Sequence, residues 1–391
     1  MLERLAFGEL PRKHHLALRG QGGQLRYEAC LTRGGFDGPY TILYHQHRPQ
    51  ALRALGPALI EPLEPAEQGQ RGPGLSRRHF RTAALAAGQR PRTPLLFNHQ
   101  LVLGCFRPLQ SDDTYRIDAG ADELSFVLSG HGVLRSPLGD LEFSAGDYVF
   151  VPKGLLHRFV FGASEAPQLL FMEFADGVGI PRRFRNPVGQ LRMDAPYSHR
   201  DFVRPRFDGP EDEGLREVWI TRGTERQRFA YAHNPLDVVG WDGCVYPYAF
   251  PITRFQPRVS SVHLPPTWHG TFEAAGALIC SFVPRPLDFH PEAIPCPYAH
   301  TSADVDEVLF YVDGDFSSRL GVERGSLTLH PGGVPHGPHP GRYEASVGAQ
   351  RTEELAVMLD CSTRLSVTKG AESIEDASYE DSFADVASTG A

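Results

Sequence analysis

Apolar and polar residues alternate in short runs along most of this chain, and glycine and proline cut the runs. Leu25-Arg-Tyr-Glu-Ala-Cys-Leu31 and Tyr40-Thr-Ile-Leu-Tyr44 read as strands on either side of a Gly34-Gly35 turn. Residues 50–75 carry Pro57, Pro62, Pro65 and Pro73 and predict a surface excursion. Ser76 to Ala87 predicts one short helix, with Ser76 as N-cap and Gly88 as C-cap. Strand patterns resume at Leu95-Leu-Phe97 and Leu101-Val-Leu103 and run with breaks to about residue 175. A connector rich in proline and arginine, about 176–215, leads to strands at Glu217–Thr221 and Arg226–Tyr231. A dense block then spans Pro235 to Gly341. After Cys361 the tail is acidic and Ser-rich, with Tyr379 and Phe383 available to pack back on the body.

One stretch of this pattern occurs twice. Asp122-Glu-Leu-Ser-Phe-Val-Leu-Ser-Gly130 matches Asp306-Glu-Val-Leu-Phe-Tyr-Val-Asp-Gly314. Each copy continues into Pro-x-Gly-x-x-His, from Pro152 to His157 and from Pro331 to His336. A carboxylate at a strand start, a glycine turn, then a Pro-Gly turn delivering a histidine is the layout of a cupin, a small jelly roll with a metal inside its barrel. The expected fold is therefore all-β dominated, with two jelly-roll barrels and a few short helices. The expected division is an N-terminal domain, 1–235, with a degenerate, metal-free barrel, and a C-terminal catalytic barrel, 236–391, with the acidic tail.

The two copies differ where chemistry is decided. Seven residues before Glu307 stands His300, and His336 ends the second copy. Two imidazoles and one carboxylate form the facial triad of non-haem Fe(II) sites, although the same set also holds Mn or Zn. Seven residues before Glu123 stands Arg116, which is always cationic and cannot ligate a metal. His157 is thus expected to be a hydrogen-bonded core histidine. His330 is placed for a contact to a metal ligand or to substrate, and His339 reads as a turn residue. His263 ends the strand-like Arg258-Val-Ser-Ser-Val-His263 and is unremarkable by spacing. His14, His15, His45, His47 and His99 show no ligand spacing with one another, and no second metal is expected there.

Composition narrows the picture little further. The chain is 41% hydrophobic and 22% charged, as in soluble globular proteins. Its net charge of -8 argues against nucleic acid or an anionic membrane as partner. No apolar run approaches the length of a membrane span, and Met1 to Arg12 has no apolar signal core, so a cytoplasmic protein is expected. The six cysteines are scattered without a CxxC pair and read as buried thiols.

Several longer segments resemble the bacterial homogentisate 1,2-dioxygenase family. They are Trp241-Asp-Gly-Cys-Val-Tyr-Pro-Tyr-Ala-Phe250, Cys280-Ser-Phe-Val-Pro-Arg285, Asp306 to Phe316 and Leu329-His-Pro-Gly-Gly-Val-Pro-His-Gly-Pro-His-Pro-Gly341. Pro11-Arg-Lys-His-His15, Tyr44-His-Gln-His-Arg-Pro49 and Pro235-Leu-Asp-Val-Val-Gly-Trp241 look similar too. The resemblance implies Fe(2+) held by His300, Glu307 and His336, with His263 as the base and His330 as a second pocket histidine. It implies conversion of homogentisate and O2 to maleylacetoacetate by a homo-oligomer, a trimer or hexamer. The chain departs from the family at Phe316, where eukaryotic members have a substrate-touching tyrosine, at Ala299, and in Thr267-Trp-His269. These changes bear on substrate rather than on iron, because a site built for a hydroxyl discriminates strongly against analogues lacking it. Two other readings stay open: a dioxygenase for a related phenolic acid such as gentisate, and a cupin that binds a phenolic ligand without turnover.

Overall fold

The computed structural model describes residues 2–66, 75–88, 92–163, 165–316 and 318–384. Two seven-stranded sheets dominate it. The first runs in the order Tyr248–Pro251, Asp147–Val151, Asp122–Ser129, Gln168–Phe174, Leu101–Phe106, Arg92–Phe97, Ser366–Val367. The second runs Val178–Gly179, Gly270–Ala274, Ala277–Phe282, Leu355–Cys361, Asp306–Asp313, Ser326–His330, Arg78–Arg81. The repeat thus supplies the same inner strand to both sheets. Asp122–Ser129 and Asp306–Asp313 are buried along almost their whole length, so both of their faces are covered.

The aromatic side chains of the two inner strands meet in one core. Phe126 and Phe310 lie with ring centroids 6.5 Å apart, and Phe126 packs edge-on to Tyr148 at 5.0 Å. Tyr148 reaches Phe272 at 5.2 Å, and its hydroxyl lies 2.9 Å from Ser281 Oγ. Phe126 is fully buried, so truncation to alanine costs about 3–5 kcal/mol.

The fold is all-β with few short helices, but the expected pair of jelly-roll barrels is not present. Neither large sheet closes on itself; each ends on short edge strands, Tyr248–Pro251 and Ser366–Val367 in one, Val178–Gly179 and Arg78–Arg81 in the other. Closure needs an unbroken ladder. The strands that follow the first copy, His131–Ser136, Gly139–Ser144 and Arg158–Phe161, pair instead as a separate three-stranded sheet. The edge strands also cross the chain: Arg78–Arg81 pairs with Ser326–His330, and Ser366–Val367 pairs with Arg92–Phe97.

The helix expected over Ser76–Ala87 is absent too. Arg78–Arg81 is a strand and Thr82–Ala84 a single 3-10 turn. His79 and Phe80 are wholly buried there, and sheet pairing overrides the local helix preference. The Pro-x-Gly turns behave as the repeat requires. Gly154 and Gly333 adopt φ of +86° and +84°, a left-handed conformation that a side chain would strain.

Candidate metal centre

Strand Asp306–Asp313 opens with two carboxylates, which point to opposite faces. Asp306 accepts the N–H groups of Gly332 and Leu365, each at 2.7 Å, and so pins the turn that leads to His336. Glu307 faces the other way and is buried, at 6% exposure. Its register partners are His330 on one side and Asp360 on the other.

His300 and His336 are joined by a two-bond backbone bridge, with N–H···O distances of 2.8 and 2.9 Å. Their rings lie 4.3 Å apart at 61°. His300 Nδ1 lies 3.3 Å from the Tyr298 carbonyl, and His336 Nδ1 lies 2.9 Å from that of Val334. An imidazole that donates Nδ1–H to a carbonyl carries its lone pair on Nε2. Both Nε2 atoms face Glu307, at 3.8 Å for His300 and 3.6 Å for His336. These spans are too long for hydrogen bonds, and His336 Nε2 is buried without a partner. Three ligand atoms within 4.8 Å, one of them an orphaned buried lone pair, fit a divalent cation between them.

The surroundings hold Glu307 ionised and in place. Burial alone pushes its carboxyl up, but His330 and His336 outweigh burial and hold it well below the ordinary range. His330 is wholly buried, with Nδ1 2.8 Å from Glu307 Oε1 and Nε2 3.2 Å from the Tyr379 hydroxyl. Burial pushes His330 down to about 4, so it is neutral. Arg319 approaches Glu307 Oε1 at 4.0 Å and donates to the Gly337 carbonyl. Burial, then the Glu307 charge, raises Asp360 to about 7.

A cavity of about 110 Å³ opens beside the triad, lined by His263, His269, Phe282, Arg285, His300 and Glu307 among others. It is small beside the 300–1,000 Å³ of drug-sized sites, so it suits a compact ligand. A larger groove of about 620 Å³ passes Asp306, Arg364 and Leu365 but gathers no such ligand set. In the small cavity His263 Nδ1 lies 3.9 Å from Asp288 Oδ2, and its ring meets Tyr298 edge-on at 5.3 Å. Burial lowers the His263 pKa and raises that of Asp288. Phe316 stands elsewhere, edge-on to Tyr311 at 4.9 Å and lining a separate surface groove with Asp313 and Arg324.

Other histidines differ from the sequence reading. His339 does open a turn, its carbonyl accepting the Arg342 N–H at 3.0 Å, but it is also buried, its Nε2 lies 2.8 Å from Ser382 Oγ, and its ring stacks on Phe383 at 4.0 Å. His269, in the loop whose sequence already stood out, is buried with its Nδ1 unpartnered. Sequence gave no sign of Arg319 or Asp360, which reach Glu307 only through tertiary pairing.

His47, His233 and Asp237 form a second group with ligand atoms within 4.8 Å. Here the His47 and His233 rings stack, 4.6 Å apart at 23°. Asp237 is also engaged already, by His45 Nδ1 at 2.8 Å and by the His47 backbone N–H at 2.7 Å. His47 Nδ1 adds a third contact to Asp237, at 3.0 Å, and the group stands as a second candidate for a divalent cation.

All six cysteines are free. Among the described residues, no helix is long and apolar enough to cross a membrane.

No family model matches the chain. Solved structures overlap it weakly, as with protein Ylba from E. coli at 9% identity and a TM-score of 0.35, covering 76% of this chain and 94% of that one. Such overlap is too low to assign a fold. Sequence relatives are clearer. The chain is 33% identical over 378 residues to "Putative dioxygenase SSO1533" of Saccharolobus solfataricus, covering 95% of this chain and 96% of that one. It is 25% identical over 278 residues to homogentisate 1,2-dioxygenase of Bradyrhizobium diazoefficiens, covering 67% of this chain and 60% of that enzyme. It is 24% identical over 244 residues to the Emericella nidulans enzyme, covering 59% and 53% respectively. The match thus spans little more than half the length of these two enzymes. The chain belongs to the dioxygenase family of SSO1533, with homogentisate 1,2-dioxygenases as more distant relatives.

Proposed function

We propose that the protein is a non-haem Fe(II)-dependent dioxygenase that opens the ring of homogentisate. The observation that carries this reading is the converging His300, Glu307 and His336 set beside a small pocket of rings and cations. Bound there, iron supplies a Lewis-acidic, redox-active centre with open positions for a ring hydroxyl and for O2. The protein's own groups do the rest. His263, neutral and half-buried, accepts the phenolic proton, a step worth roughly 10²–10⁴-fold. Arg258, Arg285 and Arg319 line the pocket and favour a substrate carboxylate by charge-assisted hydrogen bonds. Phe282, Leu309 and Met358 form apolar wall and exclude water, which strengthens each polar contact inside. The trimeric or hexameric assembly implied by the resemblance is part of this proposal, and light scattering of the purified protein checks it.

A second reading, a related phenolic acid such as gentisate, is favoured by the distribution of similarity. The homogentisate enzymes match over little more than half of their own length. Oxygen uptake by ferrous-loaded protein, with homogentisate and gentisate in parallel and ring-opened absorbance recorded, separates the readings. Uptake with homogentisate that vanishes in Glu307→Ala is the expected result. Uptake with gentisate alone replaces the substrate, and no uptake with any phenolic acid removes the dioxygenase reading.

A further inference from the structure

The geometry points to the C-terminal segment Asp376–Phe383 as part of the metal centre: we infer that Tyr379 is a positioning residue, which fixes Glu307 by holding the His330 ring that bonds it. The inference rests on the metal reading of His300, Glu307 and His336.

The contacts form one line. The Tyr379 hydroxyl lies 3.2 Å from His330 Nε2, and His330 Nδ1 lies 2.8 Å from Glu307 Oε1. A neutral imidazole has one N–H and one lone pair. Glu307 is an acceptor only, so Nδ1 must carry the hydrogen to bond it. Nε2 then carries the lone pair and needs a donor. Tyr379 is that donor, 49 residues along the chain from His330. Both side chains are buried, His330 at 0% and Tyr379 at 2% exposure, so water does not compete for the contact. Without the hydroxyl, Nε2 is left buried and unpartnered, and the ring that orients Glu307 loses its second anchor.

The segment is anchored independently of the metal. Asp376 pairs with Arg81 at 2.8 Å. Arg77 meets Glu380 through its guanidinium at 2.8 and 3.1 Å and through its backbone N–H at 2.8 Å. The same guanidinium lies over the Phe383 ring at 3.9 Å, and Phe383 stacks on His339 at 4.0 Å. Arg77 precedes and Arg81 ends the edge strand Arg78–Arg81, which is hydrogen-bonded to the strand carrying His330. The tail therefore docks on the sheet that builds the site and delivers one hydroxyl to it.

Partners behind a metal ligand typically change affinity 10–100-fold when removed, and a residue one step further out is expected to do less. The test uses the full chain and Co2+ as probe, with dissociation constants and visible spectra measured anaerobically. Tyr379→Phe, which keeps the ring, should weaken Co2+ binding roughly 3–10-fold and shift the ligand-field bands, with little change in melting temperature. His330→Leu should weaken it roughly 10–100-fold, and adding Tyr379→Phe to His330→Leu should cause no further loss. Wild-type affinity and spectrum in Tyr379→Phe, or the same loss with and without His330, overturns the inference alone. Failure of the wild-type protein to bind Co2+ overturns it together with the metal reading.

Discussion

The two copies of the repeat build one framework and surround its buried carboxylate differently. In the first, Arg116 and His157 are joined by a two-bond bridge at 2.8 and 2.9 Å, as His300 and His336 are in the second. His157 Nδ1 lies 2.9 Å from a carbonyl two residues back, and so does His336 Nδ1. Both Nε2 atoms are buried and unpartnered. The carboxylates differ in company. Glu123 and Glu173 share Arg92, each at 2.8 Å, and Arg116 stands 4.0 Å from Glu123. Glu307 meets two histidine nitrogens at distances that leave space for an ion. Burial lowers both histidines, but Arg116 deepens the shift at His157, down to about 4, while Glu307 reverses it at His336. Arg92 thus neutralises the carboxylates of the first copy directly, whereas in the second Arg319 comes no nearer Glu307 than 4.0 Å and the triad is a candidate for a cation.

Backbone geometry explains how the second copy stays open. Strand Arg92–Phe97 extends far enough for Arg92 to reach both carboxylates, passing over Phe106 at 5.3 Å and Phe171 at 4.1 Å. Its counterpart starts only at Gly270, after the 3-10 turn Pro266–His269, and His269 lines the cavity instead of filling it. The lesson is that a repeated turn and a repeated histidine do not by themselves gather a ligand set; the neighbouring side chain at Arg116 or His300 decides.

Breaking the comparison from the second side gives the largest effect. Glu307→Ala should abolish metal retention and turnover, measured by metal analysis after gel filtration and by oxygen uptake. From the first side, Arg92→Ala leaves Glu123 and Glu173 buried beside each other. It should cost about 3–5 kcal/mol of stability by urea unfolding while leaving metal content unchanged. Metal loss in Arg92→Ala, or wild-type stability, breaks this account of the first copy.

Acid should separate the copies more finely. The folded pKa of His157 lies below the unfolded value of about 6.5, so the unfolded chain takes up a proton that the folded chain refuses. Stability is then lost as pH falls from about 6.5 to about 4 and levels off below that, by at most about 3 kcal/mol. His157→Gln should flatten that part of the pH–stability curve of the metal-free protein; an unchanged slope contradicts the assignment. The smallest effect tests the contact between copies: Tyr148→Phe loses the hydroxyl bond to Ser281 and should cost about 1 kcal/mol in thermal unfolding.

Much of this comparison is legible in the sequence. Asp-Glu at a strand start and Pro-x-Gly-x-x-His are local patterns, and a local pattern fixes a turn and the facing of its neighbours. Aligning the copies placed Arg116 against His300 without any structure. Closure of the sheets was not legible, since it depends on which edges pair. Arg78–Arg81 finds Ser326–His330 across most of the chain, and that contact also turned an expected helix into a strand. Arg92 and the contact of Tyr379 with His330 were illegible for the same reason. Each acts through a partner far along the chain, and neither stands in a motif. The burial of His339 follows from the tail docking, which Tyr379 and Phe383 foreshadowed without revealing the partner.

The most direct test is an anomalous difference map at the iron edge, from crystals grown anaerobically with ferrous iron. A peak among His300 Nε2, Glu307 and His336 Nε2, with none between Glu123 and His157, is the predicted result. Density at Glu123 and His157, or an empty second copy at saturating iron, contradicts it.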